Sequence, residues 1–139
     1  MIRTTAYQER LDALSTGAEG ERLAAEYLLK EGFDLLHRNW RNGRCEIDLV
    51  ARRDGVLHII EVKSRAADGL TAPEEAMTAA KFRSLCKAAR SYIATYGLDM
   101  NVQFDFIGVE FDADSTHTLP TGCDGTAVVN YTRGLSGSL

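Results

Sequence analysis

The chain has 139 residues, a hydrophobic fraction of 45% and a net charge of -4 at neutral pH. This length predicts one domain with a buried core. No apolar run approaches the ~18 residues of a membrane span, and the N-terminal stretch lacks the apolar section of a signal peptide. We therefore expect a cytoplasmic protein with no membrane partner. The three cysteines are widely spaced and contain no CxxC pair, so nothing indicates a zinc site or a disulfide framework.

Charge is distributed unevenly along the chain. Residues 36–98 contain eleven Lys or Arg and seven Asp or Glu, whereas the remainder contains five and thirteen. A mildly basic surface around an acidic centre is compatible with a phosphate-bearing partner and a bound cation. Many solvated surfaces share this pattern.

The first half of the chain predicts a helix followed by three strands. "STGAEGERLAAEYLLKEGF", residues 15–33, is typical of a helix, with Thr16 and Glu19 at capping-box spacing and Gly32 at the expected stop. "FDLLHRNWR" then predicts a strand, and a loop containing Asn42-Gly43 separates it from a hairpin over residues 46–64.

The second half predicts a helix, a strand and a tail. Thr71 and Glu74 form a second possible capping box for a long helix that ends near Gly97. "NVQFDFIGVEF" predicts a strand buried on both faces. Beyond it the composition becomes polar, except for the short apolar run "AVVNY", which could attach the tail to the domain. The order predicts a mixed sheet covered by helices, in which the second helix is a crossover that makes the last strand parallel to an earlier one.

The hairpin places two carboxylates opposite each other. Asp54-Gly55 is a two-residue turn signal, and pairing Arg53 with Val56 sets Asp48 against Glu61. Like charges opposed across strands are destabilising, so this pairing needs a physical reason.

Alternation of side chains along the two strands predicts which residues share a face with the acids. It groups Leu57, Ile59, Glu61 and Lys63 on one strand, and Glu46, Asp48 and Val50 on the other. The register then opposes Glu46 to Lys63. A slip by one residue would remove this arrangement.

Three arrangements would relieve the repulsion between Asp48 and Glu61. One carboxyl could stay protonated, both could point into water, or a divalent cation could bridge them. Lys63, two residues beyond Glu61, fits the third arrangement best, because an ammonium there could orient an attacking water and stabilise developing charge. An acid followed two residues later by lysine is also common on exposed strands.

Glu21 is a further candidate for this site. It shares a helical stripe with three apolar residues, Ala24, Ala25 and Leu28, where an acid is less expected than on the outer face. An edge position or a favourable interaction with the helix dipole would also account for it. Trp40 could stack on an unpaired base, but we favour packing against the core or the strand edge, and we expect His58 to be a satisfied residue of the sheet.

The motifs together resemble the YraN-like family of small bacterial proteins. The resemblance is carried by Gly20-Glu21 with Ala24 and Tyr27-Leu28, "RNWR" at 38–41, "EIDLVA" at 46–51, "IIEVKSR" at 59–65, "EEAMTAAKFRSL" at 74–85 and "QFDFIGV" at 103–109. It implies the restriction-endonuclease-like fold, also called the PD-(D/E)xK fold, with an αβββαβ core similar to archaeal Holliday junction resolvases. Residues 15–111 would form this nuclease domain, preceded by an N-terminal segment, 1–14, and followed by a tail, 112–139, that is at most partly ordered.

The resemblance also implies roles for individual residues. Asp48 and Glu61 would be ligands of Mg²⁺ or Mn²⁺, together with the backbone carbonyl of Val62, and Glu21 would contact the metal or its waters. Lys63 would assist the attacking water. Lys81 would contact phosphate or lie simply on the surface. The basic residues that could line a nucleic-acid-binding surface include Lys81, Arg65 and Arg41.

Two functions remain open from the sequence. The first is a Mg²⁺- or Mn²⁺-dependent endonuclease or exonuclease acting on DNA, or alternatively RNA, with branched, flapped or single-stranded DNA as the expected substrate. The second is a non-catalytic nucleic-acid-binding or assembly module of DNA maintenance, which the low overall basicity favours. A homodimer is expected by analogy with the similar resolvases.

Overall fold

Among the residues that the structure describes, a five-stranded mixed sheet forms the centre of the fold, with a helix on each face. In the computed structural model, the backbone is described for residues 6–66, 78–111 and 127–132, and side chains for 17–64 and 78–111. The elements are α1 (Ala6–Lys30), β1 (Asp34–Asn42), β2 (Cys45–Arg53), β3 (Val56–Ala66), α2 (Ala79–Tyr96), β4 (Asn101–Phe111) and β5 (Ala127–Thr132). The strand order is β1-β2-β3-β4-β5. The predicted mixed α/β arrangement with an αβββαβ order is therefore confirmed.

The pairing directions agree with the predicted meander and crossover. β1, β2 and β3 pair antiparallel, and β4 pairs parallel to β3 after the chain has passed through α2. β5 pairs antiparallel to β4 and contains the apolar run of the C-terminal segment. No helix in the described ranges is long and apolar enough to cross a bilayer.

Both helices end at a glycine, as predicted, but their starts differ from the sequence expectation. Gly32 has a φ of 88°, and the Phe33 N–H donates to the Leu28 carbonyl, which closes α1 in a Schellman motif. Since α1 begins at Ala6, Thr16 lies inside the helix and the predicted cap there is wrong.

The start of α2 lies after the predicted cap. α2 begins at Ala79, with Thr78 as its N-cap, and ends at Gly97. The cap predicted at Thr71 and Glu74 lies outside the described residues.

Two apolar clusters hold the helices against the sheet. On one face, Leu23, Ala24 and Leu28 of α1 pack with residues of β2, β3 and β4. On the other, Leu85, Ala89 and Tyr92 of α2 pack with residues of β1 to β4. Trp40 belongs to this second cluster, being 7% exposed, and its Nε1 donates to the Tyr96 hydroxyl at 3.2 Å. Its predicted packing against the core is confirmed.

Candidate active site

The β2–β3 ladder ends immediately before the predicted acid pair. Its pairs run from Arg53–Val56 to Leu49–Ile60, which is the register predicted from the turn. Both turn residues, Asp54 and Gly55, have positive φ, at 54° and 76°, as a type I′ turn requires.

Beyond Leu49 and Ile60 the described ladder has no further β2–β3 pair, and Asp48 takes a different role. Its Oδ2 accepts a hydrogen bond from the Val62 N–H at 2.8 Å. The carboxylate thus contacts the backbone of β3 where a paired strand would otherwise lie. It stands beside Glu61 at the point where the two strands separate.

A local rotation of β2 at Asp48 breaks the predicted alternation. Ile47 packs on the α2 side with Val50, whereas Leu49, two residues from Ile47, packs on the α1 side. On β1, Asn39 lies between the residues paired with Leu49 and Ile47, and it has a φ of 52°. Asparagine is one of the few residues that tolerates this left-handed conformation. The signal was therefore present in the sequence, but hydrophobic periodicity does not report it.

The rotation corrects part of the hairpin prediction. Glu46 does not continue the face of Val50, and it forms an ion pair with Arg41, with Arg41 Nε 3.6 Å from Glu46 Oε2. The predicted ladder pairs of Asp48 with Glu61 and of Glu46 with Lys63 are both wrong, because the β2–β3 pairing stops at Leu49–Ile60.

Burial and mutual repulsion act strongly on the acid pair. Burial, followed by the charges of Glu61 and Glu21, raises the pKa of Asp48 from 3.8 to about 7, although the Val62 N–H opposes the shift. Burial also raises the pKa of Glu61, against the opposing charge of Lys81. Desolvation disfavours an ionised carboxyl, and a like charge nearby adds to this effect. The ionised form of both carboxyls is therefore disfavoured in the metal-free protein.

Lys81 compensates part of this negative charge. Its Nζ lies 3.1 Å from Glu61 Oε1. Burial alone would lower the pKa of Lys81, but Glu61 outweighs it and the pKa is raised. Thr78 fixes the first turn of α2 by accepting the Lys81 N–H at 3.1 Å. The sequence identified Lys81 as a candidate but gave no sign that it pairs with Glu61.

The third acid reaches the site because α1 approaches β3 closely at Gly20. A Cβ at Gly20 would lie 1.6 Å from Ser64 Oγ and 2.9 Å from Ser64 Cβ, so only glycine fits without movement. The next residue, Glu21, is half-buried. Gly20 therefore acts as a positioning residue that sequence analysis named only as part of a motif.

One cavity is lined by the predicted metal ligands and the predicted catalytic lysine. It has a volume of about 460 Å³, and its lining includes Glu21, Asp48, Glu61, Val62 and Lys63. The side chain of Lys63 is exposed, so its ammonium is accessible to a ligand in this space. We call this space the acid cavity.

The carboxylates of the acid cavity fit Mg²⁺ or Mn²⁺ as a partial set of ligands, which waters and substrate oxygens would complete. In the described part of the chain, no three His, Cys, Asp or Glu side chains are grouped closely enough to bind a metal ion by themselves. Mg²⁺ is usually bound by one or two carboxylates, with waters and substrate phosphates completing its coordination. Asp48 and Glu61 supply the two carboxylates of such a site, and Lys81 offsets the charge of only one of them.

Other basic and titratable residues lie away from the acid cavity or are already paired. Arg41 is exposed and paired with Glu46. The side chain of Arg65 lies outside the described residues. His58 is 2% exposed, and its Nδ1 lies 2.6 Å from Asp105 Oδ2. Its predicted role as a satisfied residue of the sheet is confirmed.

Comparison with known proteins assigns the chain to a family. The model of the family described as "Uncharacterised protein family UPF0102" matches residues 20–109, a range that contains every residue placed around the acid cavity except Gly17. The chain belongs to the UPF0102 family. This is the YraN-like family that the sequence motifs resemble.

The chain is similar in sequence to individual UPF0102 proteins over about three quarters of their length. A UPF0102 protein of Porphyromonas gingivalis is 39% identical over 100 residues, which cover 72% of this chain and 74% of the relative. A UPF0102 protein of Parabacteroides distasonis is 38% identical over 91 residues, 66% of this chain and 75% of the relative. One of Chlorobium chlorochromatii is 41% identical over 97 residues, 70% and 75% of the two chains.

Proposed function

We propose that this UPF0102 protein is a metal-dependent nuclease that hydrolyses phosphodiester bonds in DNA. The observation that carries the proposal is the half-buried pair of Asp48 and Glu61, which shares one cavity with Glu21 and Lys63. Burying like charges side by side is unfavourable for folding, and perturbed carboxyls of this kind cluster at functional sites.

Mg²⁺ or Mn²⁺ would be held by Asp48, Glu61 and the backbone carbonyl of Val62, with Glu21 contacting the ion or its waters. When bound, such an ion would withdraw charge from the scissile phosphate and lower the pKa of a nearby water. The hydrogen bond from the Val62 N–H holds the Asp48 carboxylate against β3. The chain would therefore supply two carboxylates and one backbone carbonyl from a single sheet, as a precise site requires.

Lys63 supplies a positive charge that the substrate can reach. In hydrolysis, the water oxygen bonds to phosphorus, the bond to the leaving oxygen breaks, and the water proton passes to solvent or to the leaving group. An exposed ammonium beside the acid pair can orient that water and stabilise charge on the phosphoryl oxygens. The acid pair and Lys63 thus have complementary roles.

The expected substrate is DNA that is branched, flapped or single-stranded, with RNA as the alternative. This expectation comes from the resemblance to resolvases, as does the expected homodimer. Cytoplasmic location also stays a prediction.

A non-catalytic nucleic-acid-binding or assembly module is the second candidate. The observation that favours it is the contact of Lys81 with Glu61, which neutralises one member of the acid pair without any metal. In this case the acid cavity would be a charge-balanced surface, and binding would depend on basic residues alone.

A cleavage assay separates the two candidates. Labelled single strands, flaps, three-way and four-way junctions are incubated with Mg²⁺, Mn²⁺ or EDTA, using the parent, Asp48→Ala, Lys63→Ala and an Asp99→Ala control. Asp99 is exposed and lies outside the acid cavity. The nuclease proposal requires metal-dependent cleavage by the parent and the control, reduced at least 100-fold in the other two variants.

The opposite result is equally definite. Binding that persists in Asp48→Ala and Lys63→Ala, without cleavage by the parent, supports the non-catalytic module. If the parent binds no nucleic acid at low salt, both candidates are wrong. Thermal unfolding of every variant establishes that the protein used in each assay is folded.

A further inference from the structure

A second cavity adjoins the acid cavity on the side of α2. It has a volume of about 300 Å³ and lies between the β1–β2 turn and the first half of α2. Glu61 lines both cavities, so the two spaces meet at this carboxylate. The volume is roughly ten times the ~30 Å³ share of one water molecule, which leaves room for a phosphodiester group.

Hydrogen-bond donors from two separate elements line this second cavity. They are Arg44, Lys81, Ser84 and Lys87. The last three are spaced by three residues, which places them as neighbours along one side of α2. Arg44 occupies a tight two-residue turn with Gly43, whose φ of 61° lies in the left-handed region that favours glycine. The donors thus project from rigid parts of the fold. We call this space the basic cavity.

Two cationic side chains that line the basic cavity form no ion pair with the carboxylates that line it. Glu61 contacts Lys81 at 3.1 Å, and Glu46 contacts an arginine outside the cavity at 3.6 Å. Arg44 and Lys87 are exposed and form no ion pair with any carboxylate in the described ranges. A cavity with two such cations and a hydroxyl donor favours an anion with several acceptor oxygens, as a phosphodiester has.

We infer that the basic cavity binds the phosphodiester next to the one in the acid cavity. A single nucleic-acid strand would then cross Glu61 and continue towards the β1–β2 turn. This inference rests on the proposed function and deepens it by defining the path of the strand. Phosphate contacts fix the position of a strand without reading its sequence. The site therefore requires DNA that extends at least one nucleotide beyond the acid cavity on this side.

A matched pair of double variants tests the inference by binding. Arg44→Gln/Lys87→Gln removes the two unpaired cations of the basic cavity. Arg83→Gln/Arg90→Gln removes the same charge from exposed positions of α2 that do not line it. Affinity for a fluorescent single-stranded oligonucleotide is measured by anisotropy in EDTA over a salt series. We expect at least tenfold weaker binding by the first variant, and a change below threefold in the second.

The salt dependence reports whether phosphates are contacted directly. Each phosphate neutralised on a single strand contributes about 0.7 to the slope of log affinity against log salt. Because the inferred contact is with one phosphodiester, the slope for the cavity variant should be smaller by roughly 0.7, and the slope for the control should be unchanged. Equal losses of affinity in the two double variants would mean that only overall charge matters, and would overturn the inference.

A neutral linkage locates the contact on the strand. Single methylphosphonates are placed in turn at every linkage of the oligonucleotide, and each is bound to the parent and to Arg44→Gln/Lys87→Gln. One or two adjacent positions should weaken binding to the parent while having little effect on the cavity variant. If every position affects the two proteins equally, the basic cavity contacts no phosphate and the inference is wrong.

The assays distinguish this inference from the proposed function. A parent that binds with the expected cavity dependence but does not cleave with Mg²⁺ or Mn²⁺ refutes the nuclease and retains the binding cavity. A parent that cleaves, with equal affinities for the cavity and control variants, refutes the cavity and retains the nuclease. A parent that binds no DNA refutes both.

Discussion

Replacing Asp48 by asparagine should stabilise the metal-free protein above neutral pH. The substitution removes the negative charge that burial and Glu61 oppose, and it keeps a side-chain oxygen that can accept the Val62 N–H. In the folded protein the pKa of Asp48 is about 7, against 3.8 for an ordinary aspartate. Between these values the folded state retains a proton that the unfolded state has lost. The contribution of Asp48 to the free energy of unfolding therefore falls as pH rises from about 4 to about 7, and this contribution is constant at higher pH.

The size of the effect follows from the pKa. At 1.36 kcal/mol per pKa unit, an ionised Asp48 lowers the free energy of unfolding by at most about 4 kcal/mol above pH 7. Water reaches the half-buried carboxyl and reduces this figure, so we expect Asp48→Asn to gain about 1–3 kcal/mol at pH 8.5. For a chain of this size, that corresponds to a Tm higher by roughly 4–12 °C. At pH 4.5 the gain should be less than about 1 kcal/mol.

Thermal unfolding in EDTA at pH 4.5 and 8.5 measures this difference directly. Asp99→Asn, a change at an exposed loop position, should stay within about 0.5 kcal/mol of the parent at both values. Adding Mg²⁺ at pH 8.5 should raise the Tm of the parent more than that of Asp48→Asn, because a ligand stabilises the state that binds it. An equal gain at both pH values, or none at pH 8.5, would refute the electrostatic reasoning.

Three further substitutions test other features of the site and fold. Gly20→Ala should lower the free energy of unfolding in urea by about 1–3 kcal/mol, because its Cβ would meet Ser64 Oγ at 1.6 Å; Ser64→Gly in the same chain should restore part of the loss, and a fully stable Gly20→Ala would contradict the close approach. Lys81→Gln removes the 3.1 Å partner of Glu61 and should strengthen Mg²⁺ binding in calorimetry, since no ammonium then competes; weaker binding would show that Lys81 assists the ion. Asp105→Ala leaves a buried histidine without the carboxylate that lies 2.6 Å from it and should lower the free energy of unfolding by about 2–4 kcal/mol, whereas a loss below 1 kcal/mol would mean that the pair is not a structural anchor.

The hairpin shows what the sequence determines well. Asp54-Gly55 selects one turn type, and that turn fixes the register as far as Leu49–Ile60. Local steric preferences suffice here, because every pair in the ladder follows from the first. The glycines at 32 and 97 could be recognised as helix ends for the same reason, since both adopt a left-handed conformation.

The site itself depends on features that periodicity does not contain. The rotation at Asp48 lies beside Asn39, which has a positive φ within β1, and it separates Ile47 from Leu49 although alternation places them together. The contact of Lys81 with Glu61 joins residues twenty positions apart in different elements. Helical and strand periods describe faces of single elements, so such contacts require the tertiary arrangement.

The distribution of charge around the acid pair bears on which function is correct. Lys81 balances Glu61 but has little effect on the pKa of Asp48, which burial and the charge of Glu61 raise most strongly. Within the described residues, the carboxyl of this pair without a cation partner is therefore Asp48, which accepts the Val62 N–H, whereas Glu61 already contacts Lys81. A surface that evolved only to be charge-balanced would gain stability from an asparagine at position 48. Retaining the buried acid lowers stability and is expected where binding a cation or substrate compensates for it. If Asp48→Asn is more stable than the parent but no longer cleaves DNA, the same carboxyl both lowers stability and is needed for cleavage.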